Sequence, residues 1–242
     1  MKHYRHVFFD LDHTLWDFHT NSRAVLAELH AEFGLLERGI AHDEFLQTYE
    51  EVNEGLWERY EAGRLDKQVL RVLRFRNTLL RFGMKDDRLA SAIGSLYLER
   101  TPRRTALNPG ALALLCELHG RVGLHIITNG FDATQRTKMM GSGIGHFFGV
   151  VLTSEGAGMR KPDPRIFHLA LKRAGALAGE SLMVGDNAVA DIRGAREAGI
   201  DQAHYAPVGA GDAEATYRIA HFDELRALFG DQRKRAITLV EP

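Results

Sequence analysis

Asp10 and Asp12 stand two residues apart, directly after the apolar run Val7, Phe8 and Phe9. On an extended chain, residues i and i+2 face the same way, so both carboxylates can be presented to one site. Beside a divalent cation such a pair can divide its labour, one carboxylate as nucleophile and the other as general acid/base. Three later stretches carry complementary groups. Thr128, Asn129 and Gly130 offer a hydroxyl and backbone N–H groups as donors to phosphoryl oxygens. Lys161, which Pro162 keeps out of a helix, offers a cation to offset phosphate and carboxylate charge. Gly185, Asp186 and Asn187, with Asp191 one turn later, offer the hard oxygens that suit Mg²⁺. Asp186 is the preferred ligand; Asn187 and Asp191 are further ligands or groups that orient one, and Asp191 also suits a helix N-terminus on dipole grounds alone.

Each stretch has an ordinary reading as well. Asp and Asn-Gly are common in turns, and a lysine before a helix is usually solvated. Their combination carries the argument, because each follows an apolar run that reads as a strand, and open α/β sheets place their ligand crevice at strand ends. After Asn108 and Pro109, which can cap and open a helix to about His119, helix and strand alternate. Strands are expected at 124–127, 150–152, 182–184 and 203–205, with helices at 134–140, 164–174 and 188–198. Apolar strands joined by helices imply a parallel sheet covered on both faces. From Thr20 to about Arg104 only helical spacing appears, at 22–33, 43–60, 66–82 and 86–99, with Ser22, Asp43, Asp66 and Asp86 as N-caps and Gly34, Gly63 and Gly83 near the ends. This gives an α/β core of residues 1–17 and 105–242 interrupted by a helical domain at 18–104. The tail is charged from Asp231 and apolar at Ile237–Val240, consistent with an edge strand or a partner contact.

With 31 basic and 32 acidic side chains, the formal net charge of −1 excludes binding of a nucleic-acid polymer through a generally basic surface. The 12 histidines are scattered rather than set at zinc-ligand spacing. Cys116, the only cysteine, excludes an intramolecular disulfide and reads as a buried core thiol. No apolar run approaches the ~20 residues of a membrane span, and the polar Asp10 comes too early for a signal peptide, so a cytoplasmic protein without membrane contact is expected.

The four motifs, in this order, resemble those of the haloacid dehalogenase superfamily over nearly the whole chain. The resemblance implies a doubly wound, Rossmann-like α/β core with a small helical cap inserted after the first motif. It implies Asp10 as nucleophile, Asp12 as general acid/base, Thr128, Asn129 and Lys161 as phosphate binders, and Mg²⁺ held by Asp10, Asp186 and the Asp12 backbone carbonyl. Dehalogenase members lack an aspartate matching Asp12, since displaced halide needs no proton, so Asp12 points to phosphate esters. The stretches Phe8–Phe18, Ile127–Phe131 and Ser154–Gly156 ahead of Lys161 and Pro162 resemble a narrower branch, the noncanonical pyrimidine nucleotidases. A small phosphate ester is then the partner, a (deoxy)pyrimidine 5′-monophosphate first, and the protein a monomer or homodimer. Phosphatases of sugar phosphates or other small monoesters, phosphomutases, and a non-catalytic binding protein are the alternatives. His13, Trp16, Phe18, Asn53, Trp57 and Tyr60 are candidate specificity residues; for Trp57 and Tyr60 the helical spacing equally suits a core.

Overall fold

The computed structural model describes residues 2–209 and 211–229; the expected edge strand or partner contact near 237–240 lies outside them. The chain divides into two compact units, 1–17 with 106–242 and 18–105.

Among the described residues, the first unit holds a six-stranded sheet in the order β3-β2-β1-β4-β5-β6, every neighbouring pair parallel. Its strands are β1 (His6–Phe9), β2 (Gly123–Thr128), β3 (Val150–Thr153), β4 (Ser181–Gly185), β5 (Asp201–Tyr205) and β6 (Tyr217–Ile219). Central β4 is buried along its whole length, which is why it reads as an unbroken apolar run. Phe8, Ile127, Leu152 and Met183 pack with Ile166, Phe167 and Ala170 of a following helix in one core cluster. The sheet is doubly wound, and its order reverses between β1 and β4. Open α/β sheets bind ligands in the crevice outside the carboxyl ends of strands at such a switch point.

The second unit is helical throughout: α1 (Phe18–Glu32), α2 (His42–Glu61), α3 (Lys67–Arg81) and α4 (Asp87–Arg100). Val25, Leu26, Leu29, Phe45, Tyr49, Phe75, Ile93 and Tyr97 meet in its core. Two expected caps are displaced. α1 starts at Phe18, so Ser22 lies inside it, buried, with its hydroxyl 2.8 Å from the Tyr97 hydroxyl. α2 starts at His42 behind Ala41, leaving Asp43 in the first turn, where its charge still favours the helix dipole.

Among the described residues, the sheet unit also carries α5 (Ala111–Leu118), α6 (Asp132–Gly141), α7 (Ser154–Ala157), α8 (Pro164–Ala174), a π-helical stretch Ala188–Arg193 that runs on into α9 (Gly194–Glu197), and α10 (Phe222–Phe229). α5 corrects two expectations. It begins after Gly110, whose φ of 81° suits glycine, rather than at Pro109. Asn108 has other work, since its side chain donates to the carbonyls of His13 and Thr14. Cys116 is exposed, not buried: α5 turns Ala111, Leu114, Leu115 and Leu118 inward, so position 116 faces out. β6 and α10 have no counterpart among the sequence expectations; three residues are too short a strand to show a period.

Candidate active site

The loop after β1 is a tight, self-bonded turn. The N–H groups of Leu15 and Trp16 both donate to the Leu11 carbonyl, and His13 N–H donates to the Trp16 carbonyl. His13 takes φ 62°, the left-handed region, and its ring is exposed. The turn buries Asp10 at the end of β1 and places the Thr14 hydroxyl 2.9 Å from Asp186 Oδ1, to which it donates. Thr14 thus ties the end of β1 to the end of β4.

At the centre lies Lys161. Its ammonium donates to Asp10 Oδ1 at 2.6 Å, Asp191 Oδ1 at 2.6 Å and the Ile127 carbonyl at 2.8 Å, so all three of its protons are engaged. What this ammonium could offer an incoming anion is its charge rather than a further hydrogen bond. Asn129 holds the lysine in place: its amide donates to the Lys161 carbonyl and its Oδ1 accepts the Lys161 N–H. The Asn129 side chain is thereby spent on Lys161.

Asp191 is fully buried, with Oδ2 accepting the Asn187 N–H. The π-helical stretch carries it there, a local widening of the kind that recurs at functional sites. Gly185 makes the room: a Cβ there would lie 2.3 Å from Asp191 Oδ2. Asn187 caps this helix, its Oδ1 accepting from Val189 and Ala190 N–H, so its carbonyl oxygen is already committed. One oxygen each of Asp10, Asp186 and Asp191 lies within 4.8 Å of the others, spacing that one cation can span.

Three carboxylates around one ammonium repel one another. Burial raises Asp10 to about 7, against the pull of Lys161 and with the push of Asp191. Asp186 is likewise raised to about 7 by burial and the Asp10 charge, and Asp191 to about 6 by burial, Lys161 opposing. Burial works against the charge on Lys161, but Asp10 and Asp191 outweigh it and hold its ammonium above the ordinary lysine value.

Asp12 lies in a different setting. Its Oδ1 is 2.5 Å from Lys138 Nζ and its Oδ2 accepts from Gln135 Nε2 at 2.9 Å. Burial would raise its pKa, yet Lys138 and Gln135 prevail and hold it below the usual aspartate value. Gln135 also donates to Thr128 Oγ1 at 2.8 Å, and Gly130 N–H donates to the same oxygen. With two donors received, the Thr128 hydroxyl keeps its own proton to give.

A family model for haloacid dehalogenase-like hydrolases matches residues 4–199. The chain belongs to this family. Among its relatives are the phosphoserine phosphatase of Thermus thermophilus, 35% identical over 80% of this chain and 85% of that protein, and the pyrimidine 5′-nucleotidase PynA of Streptococcus pneumoniae, 32% identical over 92% of this chain and 93% of that one. The crystal structure of the putative HAD-hydrolase YfnB of Bacillus subtilis, bound to magnesium, covers 95% of this chain with all of its own, at a TM-score of 0.84 and 28% identity.

The family's four motifs meet here through direct hydrogen bonds: Asp10, Asp191 and Asn129 on Lys161, Asp186 on Thr14, Asp12 and Thr128 on Gln135. Trp16 is fully buried beneath the Lys138 ammonium, 4.4 Å from its ring centroid. Phe18, Asn53, Trp57 and Tyr60 belong to the helical unit. There Trp57 and Tyr60 meet edge to face at 5.4 Å, and Asn53 is buried with Oδ1 unpaired. Sequence reasoning missed Gln135, Lys138 and His204 altogether. His204 Nδ1 accepts the Asp212 N–H, which leaves Nε2 to donate to the Asp186 carbonyl and fix that strand end. A polar pair three apart on the helix after Thr128 was the available signal for Gln135 and Lys138; His204 had none.

Proposed function

We propose that the protein is a Mg²⁺-dependent phosphomonoester hydrolase working through an aspartyl phosphate, with pyrimidine nucleoside 5′-monophosphates as its substrates. The observation that carries the chemistry is the buried cluster of Asp10, Asp186 and Asp191 around a single Lys161, with Asp12 two residues from Asp10. Three carboxylates against one ammonium leave negative charge uncompensated in a buried place, and their oxygens are the hard donors that Mg²⁺ takes. Asp10 and Asp186, with the Asp12 carbonyl, would hold the ion, and Asp191 would ligate it or orient a ligand. Bound there, Mg²⁺ supplies neutralisation of charge on the phosphoryl oxygens.

Asp10 attacks phosphorus in line, the bond to the ester oxygen breaks, and that oxygen takes a proton from Asp12. Water then attacks phosphorus, gives its proton to Asp12, and Asp10 is released. The Thr128 hydroxyl and the Asn129 N–H donate to equatorial oxygens, while the charge of Lys161 offsets theirs. The first step needs Asp12 with a proton, which its ion pair to Lys138 disfavours in the free protein. The second step needs it without one, the state that Lys138 and Gln135 favour.

The nucleotide reading draws support from the pyrimidine 5′-nucleotidase PynA, similar over nearly the whole chain, and from the motif stretches around Asp10 and Thr128. A second reading, another small monoester, is favoured by the Thermus phosphoserine phosphatase. Turnover of UMP, dTMP, phosphoserine and glucose 6-phosphate with Mg²⁺ decides between them. We expect kcat/KM for UMP and dTMP at least about tenfold above the others, a gap of ~1.4 kcal/mol in transition-state binding. Equal turnover of phosphoserine or the sugar phosphate overturns the nucleotide assignment. Asp10→Asn should lose turnover of every ester, and wild-type activity in it overturns the covalent route.

A further inference from the structure

In the mechanism above, Asp12 serves an ester oxygen in one step and a water in the next. Yet its carboxylate is held at both oxygens by two residues of α6, Gln135 and Lys138, which stand three apart and so share a helix face. Both are buried, Gln135 completely. Burying a lysine is costly unless its charge is met, and both the Asp12 carboxylate and the Trp16 ring meet this one. Trp16 is in turn anchored on the loop that carries Asp12, its N–H donating to the Leu11 carbonyl and its carbonyl accepting the His13 N–H. Gln135 joins the same carboxylate to Thr128, and Gly130 leaves room for it: a Cβ there would lie 2.0 Å from the Gln135 amide nitrogen.

We propose that Lys138 and Gln135 are positioning residues for the reaction: they aim the Asp12 carboxylate, with Trp16 seating the lysine, and Gln135 links that aim to the hydroxyl of Thr128. The inference rests on the hydrolase mechanism above, in which Asp12 serves both steps. A side chain that fills space affects folding alone. One that aims Asp12 affects the steps that use Asp12, and these differ between esters. An alkyl ester needs a proton on its leaving oxygen; an aryloxide leaves without one, while the water step needs Asp12 for both.

The test compares Lys138→Met, Lys138→Arg and Gln135→Met on UMP, or on the best alkyl ester of the panel, and on p-nitrophenyl phosphate. Misplacing a catalytic group by about 1 Å costs on the order of 100-fold. Lys138→Met should therefore lose roughly 100-fold in kcat on the alkyl ester with KM nearly unchanged. On p-nitrophenyl phosphate it should release a rapid burst approaching one equivalent of nitrophenolate, then turn over slowly. Lys138→Arg should restore most of kcat. Asp12→Asn should show the same pattern, and adding Lys138→Met to it should cost nothing more. Wild-type kcat in folded Lys138→Met, or an equal loss on both esters without a burst and additive with Asp12→Asn, overturns the proposal. If Lys138→Met does not fold, Lys138→Gln and Gln135→Met decide by the same readouts. Full activity in Asp12→Asn counts instead against the mechanism itself, so the two failures are distinguishable.

Discussion

A glycine decides how closely the carboxylates can gather. Gly185 ends β4, and the side chain of Asp191 lies across the place its Cβ would occupy, with Asp191 Cβ at 2.5 Å and Oδ2 at 2.3 Å from it. The Asp191 oxygen can swing away, but its Cβ is fixed to the helix, so Gly185→Ala must shift the helix or the strand end. Overpacking of this kind typically costs about 1–3 kcal/mol. We expect Gly185→Ala to lower the unfolding free energy in urea by that amount and to weaken Mg²⁺ activation, measured as the Mg²⁺ concentration for half-maximal turnover. An unshifted Mg²⁺ requirement would show that Asp191 need not sit where it does. The same residue shows what the sequence discloses. Asp10, Asp12, Thr128 and Asp186 were legible because each ends or follows an apolar run, where a polar group needs a reason, and Lys161 because Pro162 fixes it ahead of a helix. Asp191 was picked out only through its nearness to Gly185, Asp186 and Asn187, whereas Gln135, Lys138 and His204 lie inside a helix or a strand, and only tertiary folding brings them to the site.

At the scale of elements, the sheet was easier to foresee than the limits of its helices. Strands that are buried on both faces announce themselves as apolar runs, whereas a helix end is set by which polar group finds its N–H groups first. Asp86 and Asp66 illustrate this. Both precede helices of the second unit, but only Asp86 accepts a backbone bond, from Leu89 N–H at 2.9 Å; the Asp66 side chain makes no cap bond. Asp86→Ala should therefore cost about 1 kcal/mol, while Asp66→Ala should stay within roughly 0.5 kcal/mol of wild type. Equilibrium urea unfolding of the two variants checks the difference, and equal losses would show that charge near the helix dipole, not the bond, is what matters. Asn108 was read as a cap for the same reason and is instead a strut under the loop of Asp12, since the carbonyls of His13 and Thr14 lie within its reach.

For the whole molecule, a formal charge near zero conceals a strongly uneven interior. Asp10, Asp186 and Asp191 are raised to about 7, about 7 and about 6, chiefly by burial and assisted by one another, and Lys161 offsets only part of their charge. A carboxylate whose pKa is higher folded than unfolded binds more protons in the folded state between the two values. Its contribution to stability is then complete below the unfolded value, near 3.9 for aspartate, and is lost as pH rises through the folded one. These three groups therefore make the metal-free protein progressively less stable as pH rises from about 4 to about 8. Lys161, raised above its ordinary value, keeps its contribution throughout that window. A cation that binds only the folded state adds stability in proportion to the logarithm of its concentration over Kd, and its affinity rises as protons leave its ligands. With EDTA present, Tm should fall from pH 5.5 to pH 8 by more in the wild type than in Asp191→Asn, which lacks one of the groups. Millimolar Mg²⁺ should raise Tm at pH 8 and hardly at all at pH 5.5. A rise of equal size at both values would place the ion's binding elsewhere than at these carboxylates.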